Sequence, residues 1–411
     1  MRHVQAEIIT VGNELLYGQV ANKNAAFISN QLFQAGFSII QMTTVADDVA
    51  AIVQALEATQ QRGTQLVITT GGLGPTRDDV TWGALSKYLS CPDINAIQHT
   101  PAVSISSIIT SISTHQDVLT CMPIPNPVGT AAGICCKKRE FPYVIALPGV
   151  PMEMQAMLQE TVIPYLKSQF VLPAVYHTTI CTIGIAEERL AAILSDWEKQ
   201  LPSYIQLAYL PDIGTVKIRL ITVLDAVEKA KSAIEGEIKK MLPLIQTYVY
   251  GYDEDVIEVV IGKLLQAHNK SLAIAESCSG GYASQLVVEA PGSSAYYYGG
   301  IVAYNNRVKH EVLGIPADTL SRYGAVSQEV ALAMAQQVRF KLQADIGLSS
   351  TGIAGPGGGD EDHPVGTVWV AYADEHTSYA HKLQLTNNRF YNIHLTAYAL
   401  LDLLRVKLRG R

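Results

Sequence analysis

The stretch Ser271-Leu-Ala-Ile-Ala275-Glu276-Ser277-Cys278-Ser279-Gly280-Gly281-Tyr282 holds the pattern from which the fold can be read. A short apolar run over 271–275 predicts a buried strand, the glycines a tight turn, and 282–288 a helix. Strand, turn and helix in this order are the building unit of an α/β core, whose ligands sit at the carboxyl ends of the strands. The turn also predicts chemistry. The first backbone N–H groups of a helix lack intrahelical partners, and with nearby hydroxyls they can hold an anion or the oxyanion of an attacked carbonyl. The competing reading is structural, with Ser277 or Ser279 simply capping the helix.

Two later loops bear on that choice. Gly299-Gly-Ile-Val-Ala-Tyr304-Asn-Asn-Arg307-Val-Lys309 places a lysine after a predicted strand and turn. A serine beside a desolvated lysine is a nucleophile–base pair. Lysine is a base only when burial or a neighbouring cation, such as Arg307, lowers its pKa; on a helix surface Lys309 would be an ordinary solvated side chain. Ser350-Thr351-Gly352-Ile-Ala-Gly-Pro-Gly-Gly-Gly359 follows another strand and lacks the lysine of a triphosphate-binding loop, so it reads as a wall lining a ligand. A helix near 255–268, strands at 297–304, 345–350, 365–373 and 378–385, and helices at 327–342 and 389–405 complete this second α/β core.

The front of the chain alternates strands at 7–11, 38–42, 65–69 and 143–147 with helices at 24–35, 49–61 and 79–89, which predicts a parallel sheet covered on both faces. Gly71-Gly72-Leu-Gly74-Pro-Thr-Arg-Asp78-Asp79-Val-Thr81 follows a strand and precedes a helix, the arrangement of a phosphate or pterin cradle. Asp78 and Asp79 are hard oxygen donors suited to a divalent cation, or else carboxylates that stabilise a helix start. Between the two cores, 178–183, 187–199, 204–210, 215–222 and 226–241 read as β-α-β-β-α. The expected domains are 1–169, a small α+β connecting domain at 170–250, and 251–411.

Composition narrows the classes. At 411 residues the chain has material for two or three cores, and its 48% hydrophobic content includes no continuous apolar run of membrane-spanning length. Glu7 interrupts the amino-terminal run, so no export signal is read and a cytoplasmic location is expected. The six cysteines show no metal-ligand spacing, which predicts buried thiols. Lys and Arg number 30 against 37 Asp and Glu, a formal charge of 30 − 37 = −7, with no long basic run; nucleic acid is not an expected partner.

In wording and order, the three carboxy-terminal loops resemble the carboxy-terminal domain of the CinA family (competence/damage-inducible protein A), which also exists alone as nicotinamide mononucleotide deamidase. The likeness runs from about Val256 to Leu404. It implies Ser277 as nucleophile, Lys309 as base and Tyr304 as a third catalytic group, with Ser279, Gly280, Gly281, Thr351, Gly352 and Arg389 binding substrate. The implied reaction converts nicotinamide mononucleotide to nicotinic acid mononucleotide and ammonia, as in pyridine-nucleotide salvage, and needs no cofactor. Asn387-Asn388-Arg389 stands where the family commonly has Gly-Asp-Arg, the further arginine about one helical turn on is absent, and Ser279 takes the place of a common threonine.

The front segment, with Gly12-Asn-Glu14-Leu-Leu-Tyr-Gly18, Asn126-Pro-Val-Gly-Thr130 and Leu147-Pro148-Gly149-Val-Pro-Met-Glu153, resembles the amino-terminal domain of CinA, a relative of the molybdopterin-binding domains. The middle segment, with Gly184-Ile-Ala-Glu187 and Val216-Lys-Ile-Arg219, resembles the family's connecting domain. The front likeness implies a metal-dependent pyrophosphatase acting on ADP-ribose, with Asp78 and Asp79 as metal ligands. Glu14, Gly71, Gly72, Gly74, Thr81, Pro148 and Gly149 would complete that site. Residues 93–125 depart from the family's wording, and Ala132 replaces a proline. Two other readings stand beside this one: a pterin-binding protein with a vestigial deamidase domain, and a scaffold for DNA uptake or repair. A homodimer is the expected assembly.

Overall fold

A computed structural model of the chain describes residues 4–92, 94, 110–113 and 118–410; most of the divergent 93–125 stretch lies outside them. The chain divides into two compact units, Met1–Tyr176 with Thr222–Ser232, and His177–Ile221 with Ala233–Arg411.

In the first unit, all four expected strands form and pair side by side in parallel as β2 (Ser38–Val45), β1 (Gln5–Val11), β3 (Leu66–Thr70) and β7 (Tyr143–Leu147). Alternation along β1 sends Ile9 and Val11 to one apolar cluster with helices Val49–Gln61 and Thr81–Leu89. Ala6 and Ile8 go to a second cluster, with helices Lys23–Ala35 and Pro151–Met157. Both faces are therefore covered, as near-continuous apolar strands require.

The sheet departs from the all-parallel expectation beyond β7. There β6 (Gly133–Lys138), β5 (Val118–Ile124) and β4 (Thr110–Ser113) continue it antiparallel, giving the order β2-β1-β3-β7-β6-β5-β4. Connection length is the physical reason. Only the turn at 139–142 separates β6 from β7, and a parallel crossover needs roughly a dozen residues.

The β-α-β-β-α run forms as β8 (Ala174–Ile183), helix Glu187–Glu198, β9 (Ile205–Asp212), β10 (Thr215–Leu224) and helix Val227–Ile245, most of it in the second unit, with Thr222–Ser232 assigned to the first. A strand that the sequence reading did not include, β11 (Val249–Tyr252), pairs antiparallel with β8. The larger sheet of this unit is ordered β13-β12-β14-β15-β16, from β12 (Leu272–Glu276), β13 (Tyr297–Val302), β14 (Ile346–Gly352), β15 (Thr367–Ala373) and β16 (Ser378–Gln384). β13, β12 and β14 are parallel, and β15 and β16 add antiparallel. One apolar cluster joins Cys181, Ile183 and Tyr250 to Leu272, Ile274, Leu401 and Leu404, so the small sheet packs into the same core as helix Arg389–Leu408. Among the described residues, no helix is long and apolar enough to cross a membrane.

Candidate active site

The register of the larger sheet brings the three loops together. Glu276, the last residue of β12, lies opposite Ser350 of β14 and Val302 of β13, so the segments that follow these residues leave the same carboxyl edge. Strand β13 ends at Val302, short of the expected 304. The carbonyls of Ala303 and Tyr304 turn instead toward Lys309, accepting from its Nζ at 2.8 and 3.4 Å. Lys309 sits in the helix Asn306–Glu311, capped by Asn305, and extends inward with only 1% of its surface exposed. Its Nζ is 2.9 Å from Ser277 Oγ, and Ser277 is itself 6% exposed.

Burial, which disfavours the ammonium form, pushes the Lys309 pKa from its ordinary 10.5 down to about 8. Arg307 has no part in this; it lies on the surface with its guanidinium toward Glu311 at 3.5 Å. A neutral Lys309 would direct two N–H groups to the carbonyls and its lone pair to the Ser277 hydroxyl. Cys278 is no rival nucleophile, since burial pushes its thiol up to about 11.

The capping reading of Ser277 and Ser279 does not hold. The helix Tyr282–Glu289 starts from Gly281, which has φ +101° and makes no side-chain cap bond. Its first turn is bound by Glu276, whose carboxylate accepts from Gly281 N at 3.0 Å, Ala283 N at 3.1 Å, Ser284 N at 2.8 Å and Ser284 Oγ at 2.6 Å. The expectation of unpaired N–H groups at this helix start is therefore corrected, because a buried carboxylate already sits where an external anion would bind. Gly280 N and Tyr282 N donate back to the carbonyls of Ser277 and Ser279. Among the described residues, the N–H groups of Cys278 and Ser279, two consecutive amides directly after Ser277, donate to no backbone carbonyl, and the Cys278 N–H lies beside its own thiol.

The remaining expected residues take different positions. Ser279 Oγ lies 2.7 Å from Ser350 Oγ, both buried. Thr351 directs its hydroxyl to the Ala325 carbonyl at 2.6 Å, and Gly352 passes so near Thr367 and Val368 that a Cβ would come within 2.7 Å of both. Tyr304 is 58% exposed, and its phenol oxygen accepts from Arg389 Nη2 at 2.9 Å while Arg389 Nη1 donates to the Gly355 carbonyl at 2.8 Å. Tyr304 thus offers its carbonyl to Lys309 and its phenol to Arg389. Asn388 accepts from Phe390 N and Tyr391 N and caps the last helix as an aspartate would. Asn392, given no role in the sequence reading, is 1% exposed and joins Ala354 O to Thr386 N, O and Oγ1, fixing the Arg389 turn against the glycine-rich loop.

A cleft of about 930 Å³ lies at the other end of this sheet, where β14 begins at Ile346; Lys270, Arg339 and Tyr372 help to line it. None of Ser277, Lys309, Thr351 or Arg389 lines this cleft, so the reacting groups are assigned to the carboxyl edge despite its size.

In the first unit, the loops after β1, β3 and β7 also meet at one carboxyl edge. Gly71 N donates to Leu147 O, Thr70 Oγ1 to Pro148 O at 2.8 Å, and Asn24 Nδ2 to Gly149 O at 2.8 Å. Gly71, at φ +108°, has no room for a Cβ, which would collide with the Val11 carbonyl. Gly72 and Thr81 fasten the loop, with Thr81 Oγ1 donating to Gly71 O at 2.8 Å and Thr81 N to Gly72 O. A cleft of about 200 Å³ is lined by Glu14 and Gly149 together with Asn22, Asn24 and Thr70.

Asp78 and Asp79 lie outside that lining. Asp79 accepts from Thr76 N and Oγ1 at 2.8 and 2.5 Å beside Gly74, and Asp78 is exposed. Among the described residues no three His, Cys, Asp or Glu side chains converge as a metal set. Among the described residues, the donors present do not fit a preformed divalent site.

Residues 254–408 match the family model described as the CinA C-terminal domain, and residues 7–168 match a probable molybdopterin binding domain. A CinA-like protein of Amoebophilus asiaticus is 56% identical, covering 99% of this chain and 100% of that protein. One from Cytophaga hutchinsonii is 42% identical over 99% of each. Among solved structures, the competence/damage inducible protein CihA of Agrobacterium tumefaciens is 30% identical over 38% of this chain and 98% of its own, with a TM-score of 0.36.

Proposed function

Because the chain belongs to the CinA family, with a CinA C-terminal domain behind a molybdopterin-binding-type domain, we propose that its Ser277–Lys309 site hydrolyses the carboxamide of nicotinamide mononucleotide. The products are nicotinic acid mononucleotide and ammonia. The observation that carries this reading is the 2.9 Å contact between Ser277 Oγ and a lysine buried to 1% exposure. Neutral Lys309 takes the Ser277 proton as Oγ attacks the amide carbon, and the consecutive N–H groups of Cys278 and Ser279, which donate to no backbone carbonyl, stabilise the oxyanion. The resulting Lys309 ammonium protonates the departing nitrogen. Water then attacks the acyl-serine, with Lys309 again as base, and releases the acid. At the far end, Arg389 exchanges Tyr304 or Gly355 for the substrate phosphate.

Ammonia release from nicotinamide mononucleotide tests this directly. Ser277→Ala should lower the rate by about 10³-fold or more, and a chelator should leave the wild-type rate unchanged; an equal rate in Ser277→Ala would remove the serine from the mechanism. The base also sets a pH dependence. Lys309 is active when deprotonated, so kcat/KM should rise with pH and level off above a midpoint near 8. A profile flat from pH 6 to 9 would contradict its role.

A further inference from the structure

Four of the six cysteines belong to the first unit and take no part in the site above: Cys91, Cys121, Cys135 and Cys136. Two of them face each other. In the antiparallel pair β5–β6, Cys121 lies directly opposite Cys136, and their Sγ atoms are 2.7 Å apart, inside van der Waals contact and outside the bond length of about 2.0 Å. We propose that Cys121 and Cys136 are a thiol–disulfide exchange site, which a small-molecule disulfide converts to a cross-strand disulfide.

Strand geometry supports the pairing. Directly opposed residues of an antiparallel pair have Cα atoms about 4.5–5.5 Å apart, within the span of about 4.4–6.8 Å that a disulfide bridges without backbone movement. Cys135 does not compete, because alternation along β6 sends it to the apolar cluster on the other face of the sheet. The two sulfurs face each other symmetrically across the strand pair, so whichever thiol loses its proton is the attacking sulfur and the other resolves the mixed disulfide. Both thiols are buried, at 0% and 1% exposure, so the reagent gains access through local opening of the strand pair.

The exchange takes two steps. The thiolate of one cysteine of the pair attacks the disulfide reagent, forming a mixed disulfide and releasing one thiolate. The other cysteine then gives up its proton and attacks the protein sulfur of that mixed disulfide, closing the bridge and releasing the second thiol. The protein dithiol is oxidised, the reagent is reduced to two thiols, and excess dithiol reverses the sequence. The bridge would clamp the hairpin whose tip carries Asn126. That side chain accepts from Val128 N and Gly129 N and donates to Ala131 O and Glu153, so oxidation tightens one rim of the front sheet.

The test uses native full-length protein incubated with oxidised glutathione, then acid-quenched, denatured and alkylated. The expected product has lost the mass of two hydrogens, with six alkylatable cysteines reduced to four and the linked peptide pair containing Cys121 and Cys136. Cys136→Ser and Cys121→Ser should each gain no bridge and stall at one glutathione on the remaining cysteine of the pair. Six alkylatable cysteines after oxidation, or a bridge from Cys121 to Cys91, would overturn the proposal. Because the wild-type mass is the primary readout, a variant that fails to fold does not blunt the test.

Discussion

Lys309→Met is expected to abolish ammonia release from nicotinamide mononucleotide while making the folded protein more stable at neutral pH. The loss of activity follows from removing the proposed general base, an effect of about 10³-fold. The gain in stability follows from the sign of the pKa shift. The folded-state pKa is depressed from 10.5 to about 8, so below pH 8 the folded chain holds a buried cation that the unfolded chain keeps in water. That penalty is roughly 3 kcal/mol, is fully present below pH 8, and fades as pH rises through 10.5. Methionine has no charge, so it removes the penalty but leaves the Ala303 and Tyr304 carbonyls without this donor, at about 1 kcal/mol, nearly all of it from the buried 2.8 Å bond to Ala303. A net gain of about 2 kcal/mol is expected in urea unfolding at pH 7, shrinking toward pH 10.5. A variant less stable than wild type at pH 7 would show that Lys309 holds the site together rather than straining it.

The parts of the site legible in the sequence were those with local signals. The apolar run 271–275 identified β12, the glycines at 280 and 281 identified the turn, and the order of the three loops pointed to Ser277 and Lys309. The inward orientation of Lys309 has no such signal, since a lysine one turn into a short helix reads equally well as solvated. Its burial is set by the end of β13 at Val302, a tertiary fact. Asn392 was illegible for a related reason, because a polar residue in the first turn of an amphipathic helix normally faces water. In the front sheet, the run Val118–Ile124 of β5 is as apolar as the parallel strands but is interrupted by Pro123, and only the short turn at 139–142 hinted at the antiparallel sense of β6 and β7. The pair Asp78 and Asp79 had two readings, and the Asp79–Thr76 bonds place Asp79 in a loop-stapling role.

Glu276 is the residue for which sequence and structure differ most in consequence, and its substitution is expected to separate the loop's stability from its chemistry. It is 1% exposed and accepts four hydrogen bonds, so Glu276→Ala strands the Gly281, Ala283 and Ser284 N–H groups and the Ser284 hydroxyl in a largely water-free place. At about 1–3 kcal/mol for each buried unsatisfied donor, and with Gly281 and Ser284 partly reached by water, the cost should be about 4 kcal/mol. Glu276→Gln is milder. Its carbonyl still accepts from Gly281 and Ala283, and its amide can donate to a rotated Ser284 hydroxyl, which leaves one opposed pair, its N–H against Ser284 N–H, and a cost of about 1–2 kcal/mol. Ser284→Ala loses only the hydroxyl contact. Urea midpoints should therefore fall in the order Ser284→Ala, Glu276→Gln, Glu276→Ala. Because the four bonds fix the turn that follows Ser277, kcat should fall along the same series, with KM for nicotinamide mononucleotide nearly constant: in the proposed mechanism Glu276 touches no reacting atom, and Arg389, the proposed phosphate contact, stands on another loop. A Glu276→Gln enzyme with wild-type kcat and a lowered urea midpoint would confine Glu276 to holding the helix, whereas a fallen kcat at unchanged KM would make it the residue that aims the nucleophile.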